Sequence, residues 1–157
     1  MVFIIFLVIF GCLGTHQIKQ VSAITASTDV EAMRKLLEND HRYIRLATVD
    51  KIQTTNMSTL SIELLTEPML EILYNDKEWC PIRGRVSRIL GEWKIQNATE
   101  GIIEAMAACD DESRYWMLLG LEPLSTVDPI ALGAIQALTY DTDIFIRTEA
   151  TQWLESR

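Results

Sequence analysis

The sequence predicts an all-α fold, a short right-handed α-solenoid of about four helical hairpins. Two observations predict it. Apolar residues recur at helical spacing along most of the chain, and an aspartate that interrupts the apolar stretches recurs at intervals of 36, 34 and 31 residues. Such an interval fits two short helices and two turns, which is the unit length of an α-solenoid. No strand-like alternation persists long enough to compete.

Each repeat consists of an apolar helical stretch, an aspartate, a few polar residues and a second apolar stretch. The four aspartates are Asp40, Asp76, Asp110 and Asp141. Upstream of each aspartate, apolar residues at spacings of three, four and seven form one face of a helix. The breaks between helices are rich in turn-forming residues. The helices predicted in this way cover residues 29–38, 41–53, 61–74, 80–93, 97–108, 111–121, 128–139 and 143–156.

An arginine follows each aspartate at the start of the next helix. The second copy reads Pro81-Ile82-Arg83, and the fourth reads Ile146-Arg147 with a small residue, Ala150, three positions later. Pro81 suits a first helical turn. Arg114 and Arg45 mark the third and first copies.

This repeated pattern resembles that of the bacterial HEAT-like repeat family, in which an aspartate opens the turn and an Ile/Val-Arg pair follows. The resemblance covers about residues 29–157 and is most specific in copies two and four, whereas copy three lacks the Ile-Arg pair. It implies stacked antiparallel helix pairs with a ladder of hydrogen bonds between aspartates and arginines. The structural repeat residues would be Asp40, Arg45, Asp76, Arg83, Asp110, Arg114, Asp141 and Arg147. Independently of the family, an aspartate at a helix start stabilises by ~1 kcal/mol through backbone N–H groups and the helix dipole.

The N-terminal segment has the layout of a secretory signal. An unbroken apolar run, Val2 to Phe10, is too short to span a bilayer and is followed by small and polar residues. We predict a signal peptide over residues 1–23 and a HEAT-like repeat domain over residues 24–157. Two processing sites stay open: a lipobox-like Ile9-Phe10-Gly11-Cys12, with lipidation of Cys12, and cleavage after Ala23. A buried N-terminal helix is the third alternative. We therefore expect an exported protein, periplasmic or lipid-anchored in the cell envelope.

The charge is strongly acidic and unevenly distributed. The chain has 22 acidic residues against 14 Lys plus Arg, a net charge of −8 that becomes −9 when the leader, with its single Lys19, is removed. From residue 95 onward there are 11 acids and only three bases, Arg114, Arg147 and Arg157. Nucleic acids and anionic membranes reward cationic surfaces, so we expect neither as a partner except for membrane contact through a lipidated N-terminus. The acidic C-terminal half favours a protein partner with a basic patch.

The residues for several known chemistries are missing from the mature sequence. It has one histidine, His41, and its glycines are scattered singly, so a His-rich metal site, a catalytic triad and a phosphate-binding loop have no basis. We predict no catalytic residues, no metal and no cofactor. The Asp110-Asp111-Glu112 cluster is interpreted as helix capping. Among Arg83, Arg85 and Arg88, we expect the last to pair with Glu92, four residues on.

We therefore interpret the chain as a non-enzymatic interaction or scaffold module of the cell envelope. The alternative is a bilin-lyase-type or chromophore-handling enzyme, since some HEAT-like repeat proteins act on phycobiliproteins; a DNA-binding solenoid is disfavoured by the charge. By the resemblance, the second helices line the concave side and carry the partner surface. The candidate contact residues are Glu100, Glu104 and, in a turn, Trp79.

Cys80 and Cys109 are candidates for a disulfide. Cys80 begins the first helix of copy two, and Cys109 ends the second helix, so an antiparallel hairpin brings them together at its open end. With Cys12 removed or lipidated they are the only thiols left in an oxidising compartment. Two reduced, buried cysteines are the alternative if the leader is never used.

Overall fold

The computed structural model describes residues 29–157, which form eight α-helices and one short 3-10 helix and contain no β-strand. The helices are α1 (Val30–Leu37), α2 (Arg42–Thr54), α3 (Thr59–Tyr74), α4 (Cys80–Glu92), α5 (Thr99–Ala108), α6 (Asp111–Leu124), α7 (Pro129–Leu138) and α8 (Ile144–Glu155). The predicted all-α class is confirmed for this part of the chain. Every predicted helix is found within three residues of its expected bounds. The predicted leader, with Cys12, lies outside the described residues.

The described part of the chain divides into two compact units, residues 29–65 and 66–157, and the boundary falls inside α3. In the first unit α1 packs on α2. Asp29 caps α1 by accepting hydrogen bonds from the backbone N–H groups of Glu31 and Ala32. The α1–α2 turn is tied by Arg45, whose guanidinium donates to the carbonyl oxygen of Asn39. The side chains that fill this pair are Met33, Leu37, Ile44, Val49 and Ile52.

In the second unit the most extensive helix pairing joins α4 to α6. Small residues let the two backbones approach closely. A Cβ placed on Gly91 would lie 2.0 Å from the carbonyl oxygen of Gly120, and one placed on Gly84 would lie 2.9 Å from that of Ser113. Residue numbers increase together along the two helices at these contacts, so α4 and α6 run parallel.

A well-formed turn joins α4 to α5. The N–H of Lys94 donates to the carbonyl oxygen of Gly91, and the N–H of Ile95 donates to that of Leu90. This is the Schellman pattern of helix ends, and Lys94 occupies its left-handed position with φ 56°. A lysine is strained there, because only glycine adopts this conformation without a steric cost. A 3-10 helix, Gln96–Ala98, precedes α5 where the sequence predicted the first residues of an α-helix.

The end of α6 differs from the prediction. The sequence placed it at residue 121 because turn-forming residues follow, yet the helix continues to Leu124 with Pro123 in its last turn. The backbone N–H of Ser125 still donates to the carbonyl oxygen of Leu121, 2.9 Å away. Leu124 is fully buried. The free energy gained by burying this leucine therefore outweighs the cost of the backbone hydrogen bond that proline cannot donate.

Candidate interaction site

A groove of about 650 Å³, partly open to solvent, lies between the N-terminal ends of α6 and α8. On each helix the lining includes residues three or four positions apart, which share a face of the helix. From α6 it is lined by Asp111, Glu112 and Tyr115, and from the start of α8 by Asp143, Ile144, Phe145, Thr148 and Glu149. Its lining thus combines carboxylates with apolar and aromatic side chains.

Both helix ends at the groove are capped by aspartates. Asp110 accepts a hydrogen bond from the N–H of Ser113, 2.9 Å away, at the start of α6. Asp143 accepts bonds of 2.9 Å from the N–H groups of Phe145 and Ile146 at the start of α8. These caps satisfy backbone donors that a helix start leaves unpaired, so the groove walls begin at fixed positions.

One buried ion pair joins the two walls. The Arg114 guanidinium on α6 donates to Asp141, just before α8, and also to Asp111 at 3.0 Å. The Asp141 side chain is only 8% exposed. Its other oxygen accepts from the N–H of Asp143, and its backbone carbonyl accepts from Arg147. The carboxylate is therefore fully used in holding the start of α8 against α6.

Three of the four predicted repeat arginines donate to a backbone carbonyl oxygen that precedes their own helix. Arg83 is buried and donates from Nε to the carbonyl oxygen of Leu73, 2.9 Å away, at the end of the preceding helix. Arg45 and Arg147 donate in the same way to the carbonyl oxygens of Asn39 and Asp141. Each arginine thus ties its helix to the turn before it. Asp40 and Asp76, the aspartates of the first two copies, are exposed.

Burial of Arg83 has an electrostatic consequence. Desolvation lowers the pKa of this guanidinium, and the negative charges of Asp76, Glu104 and Glu78 oppose that shift. The predicted repeat residues of copy two, Asp76 and Arg83, therefore interact through their charges.

Behind the groove lies a cluster of acidic groups. Burial raises the pKa of the Glu122 carboxyl to about 7, with a further contribution from the negative charge of Glu149, while Arg88 opposes the shift. Glu122 Oε1 is buried and accepts no hydrogen bond within the described residues. Burial, then Glu149 and Glu122, likewise raise the pKa of the Tyr115 hydroxyl. Negative charge at this end of the unit is only partly compensated.

Two arginines of α4, Arg85 and Arg88, lie against Trp116 of α6. Arg88 pairs with Glu92, with Nε and Oε1 2.9 Å apart, as the sequence predicts. The guanidinium groups of Arg85 and Arg88 also lie 5.5 and 5.1 Å from the centre of the Trp116 ring, within cation–π range. These arginines therefore contribute to the α4–α6 contact.

Cys80 and Cys109 form a disulfide in the structure, with Cα atoms 5.6 Å apart. Cys80 is the first residue of α4 and Cys109 is the C-cap residue of α5. The bond therefore closes the open end of the α4–α5 hairpin, opposite the Schellman turn.

The predicted partner-contact residues lie outside the groove. Glu100 and Glu104 are exposed one turn apart on α5. Trp79 is the half-buried N-cap residue of α4, and its backbone N–H donates to Glu78 Oε1, 2.8 Å away. Sequence reasoning missed the groove residues Tyr115, Ile144 and Phe145. The signal was present, because the core-facing positions of α8 begin at Ile146, which leaves the two preceding apolar residues off that face.

Within residues 29–157, no group of three or more potential metal-ligating side chains lies together. No helix in this part of the chain is long and apolar enough to cross a membrane. Comparisons with known proteins give no match to a family model, to a curated protein or to a solved structure.

Proposed function

We propose that the chain is an exported, HEAT-like α-solenoid that acts as a non-enzymatic protein-binding module. The observation that carries this proposal is the parallel packing of α4 on α6, which are the first helices of consecutive predicted repeats. Corresponding helices of successive repeats stack on each other in a solenoid. In an up-down four-helix bundle, alternate helices lie diagonally across the core, and the most extensive packing joins helices that are adjacent in the chain instead.

Two further contacts support a repeating arrangement in the second unit. The packing glycines Gly91 and Gly120 are 29 residues apart, close to the repeat interval of the sequence. Arg114 of copy three bonds Asp141 of copy four, which is the kind of rung that the resemblance implies. A solenoid of this kind exposes an extended helical surface suited to protein recognition.

The chemistry of the surface favours a partner with a basic patch. Glu100 and Glu104 are exposed on α5, a second helix in the predicted repeats, and the C-terminal half of the chain holds most of the excess acid. Opposite charge on a partner would speed association and make binding sensitive to salt.

The test is capture of partners from cell-envelope extract by immobilised residues 24–157. A Glu100→Lys, Glu104→Lys double variant serves to test the α5 surface, since both side chains are exposed. Because the charge of Glu104 also supports the buried guanidinium of Arg83, an unchanged thermal midpoint of the variant is the folding control. We expect a discrete set of proteins at low salt that is reduced at high salt and by the double variant. If the immobilised protein retains nothing beyond what the bare resin retains, the module proposal is contradicted. If retention does not depend on salt or on the variant, the electrostatic α5 surface is contradicted.

Export has its own test in the mass of the protein extracted from membranes. A diacylated N-terminal Cys12 or a chain that begins at Ile24 would support it, and an intact leader in a soluble fraction would contradict it.

A further inference from the structure

We propose that the groove between the starts of α6 and α8 binds an extended, basic segment of a partner protein in which a large apolar side chain lies next to Lys or Arg. This inference rests on the proposed function and assigns the place and chemistry of its binding site. It moves the main contact from α5 to the C-terminal end of the second unit.

The apolar part of the groove is the first evidence. Ile144 and Phe145 are 60% and 75% exposed, although Ile146, directly after them, is buried. Large apolar side chains held in water beside a concave surface are typical of binding sites. The capped start of α8 fixes both residues, so a partner side chain would meet a preformed surface.

The charge of the lining is the second observation. Asp111, Glu112, Asp143 and Glu149 contribute four carboxylates, and the lining contains no Lys or Arg. Asp111 pairs with Arg114, and Asp143 is used as a cap. Glu112 is exposed and Glu149 is half-buried, and both carboxylates can accept hydrogen bonds from a bound Lys or Arg.

The acidic groups behind the groove add to the same field. Glu122 and Tyr115 lie seven positions apart on α6, so they share its face, and both have raised pKa values partly because of Glu149. A cation bound at Glu149 would relieve part of this repulsion. Nucleic acid and anionic lipid would increase it.

Size and charge also argue against larger occupants. A volume of about 650 Å³ accommodates a few side chains, in the range of ~300–1,000 Å³ that is usual for ligand sites. A second copy of this chain would bring another strongly acidic surface, since the net charge is −8. A short basic-apolar segment satisfies both limits.

The experiment is a titration of ¹⁵N-labelled residues 24–157 with a synthetic peptide, followed by amide chemical shifts. The probe is an end-blocked Gly/Ser peptide with one phenylalanine flanked by two lysines. Matched peptides replace either both lysines by glutamate or the phenylalanine by serine. We expect shifts at amides of residues 112–115 and 144–149 with the first peptide, and much smaller ones with the two controls.

Three variants locate the site. Phe145→Ala should weaken binding about tenfold, the loss expected for an anchor worth ~1.4 kcal/mol. Glu112→Lys should weaken it about three- to tenfold. Glu155→Lys makes the same charge change at the C-terminal end of α8, away from the groove, and should leave the affinity within about twofold. All three side chains are exposed, so unchanged thermal stability serves as the folding control.

The outcomes separate this inference from the proposed function. Shifts confined to residues 100–104, or equal losses from Glu112→Lys and Glu155→Lys, would overturn the groove site while leaving a protein-binding module in place. The groove site is also overturned if a saturating concentration of peptide causes no shifts at the groove while the capture experiment still retains partners. Failure of both experiments would remove the proposed function itself.

Discussion

Replacing Gly91 by alanine is expected to destabilise the second unit, although the same substitution usually favours a helix. The added Cβ would lie 2.0 Å from the carbonyl oxygen of Gly120, whereas ordinary contact begins near 3.4 Å. The backbones of α4 and α6 must therefore separate by about 1.4 Å. Both atoms belong to closely packed helices, so no flexible side chain can move aside. Gly133 is the matched control, because a Cβ there meets nothing within 4 Å.

The magnitude follows from two opposing effects. A gap of ~0.5–1 Å already forfeits a quarter to a half of the dispersion energy of each contact, and overpacked sites typically lose ~1–3 kcal/mol or more. Alanine regains ~1 kcal/mol of helix propensity over glycine. We expect Gly91→Ala to lower the free energy of unfolding by about 2 kcal/mol net. Gly133→Ala, in α7, should raise it by ~0.5–1 kcal/mol.

The assay is urea unfolding of oxidised residues 24–157 followed by tryptophan fluorescence. All four tryptophans, Trp79, Trp93, Trp116 and Trp153, belong to the second unit, so the signal reports on that unit. The two variants should move the midpoint in opposite directions with similar m-values. A Gly91→Ala protein as stable as the native one would refute the close approach of α4 and α6.

Three other perturbations test separate features of the second unit. Because the folded-state pKa of Glu122 is raised to about 7 from 4.5, stability should fall as pH rises from about 4.5 to about 7. Glu122→Gln removes this loss and should raise the free energy of unfolding by ~1–2 kcal/mol above pH 7. The pKa shift sets an upper limit of ~3 kcal/mol, and solvent screening of this half-buried group reduces it. If the advantage of the variant in urea midpoint does not grow between pH 5 and pH 8, the prediction is refuted. Reduction of the Cys80–Cys109 bond, which closes a separation of 29 residues, should cost ~3–4 kcal/mol on the chain-entropy model, and two titratable thiols in the unfolded, unreduced protein would contradict the bond. Lys94→Gly should stabilise by ~1 kcal/mol because it relieves the left-handed residue at the end of α4, and an unchanged or lower thermal midpoint would contradict that strain.

The helices were predictable because their signals are local. Apolar periodicity and capping aspartates such as Asp110 and Asp143 locate each helix within three residues, and the hairpin argument brings Cys80 and Cys109 to one end. Errors occur where tertiary packing decides: α6 passes through Pro123 because Leu124 is buried, which the sequence alone does not reveal.

The groove was harder to predict because it depends on contacts between distant residues. Arg114 and Asp141 lie 27 positions apart in the sequence and are joined by an ion pair that sets α8 against α6. Only then do Tyr115 and Phe145 line the same cavity. Sequence spacing identified Arg114 and Asp141 as repeat residues, but not the surface that their pairing creates.

The most direct test of binding in the groove is site-specific photo-cross-linking in cell-envelope extract. A photoreactive phenylalanine analogue replaces Phe145 in residues 24–157, and a second protein carries it at Gly133, which is also exposed. We predict a discrete adduct from position 145 whose yield falls in the Glu112→Lys protein, and in which the cross-linked partner peptide contains Lys or Arg next to an apolar residue. The same adduct from both positions, or adducts only from a probe at Glu100, would contradict the account.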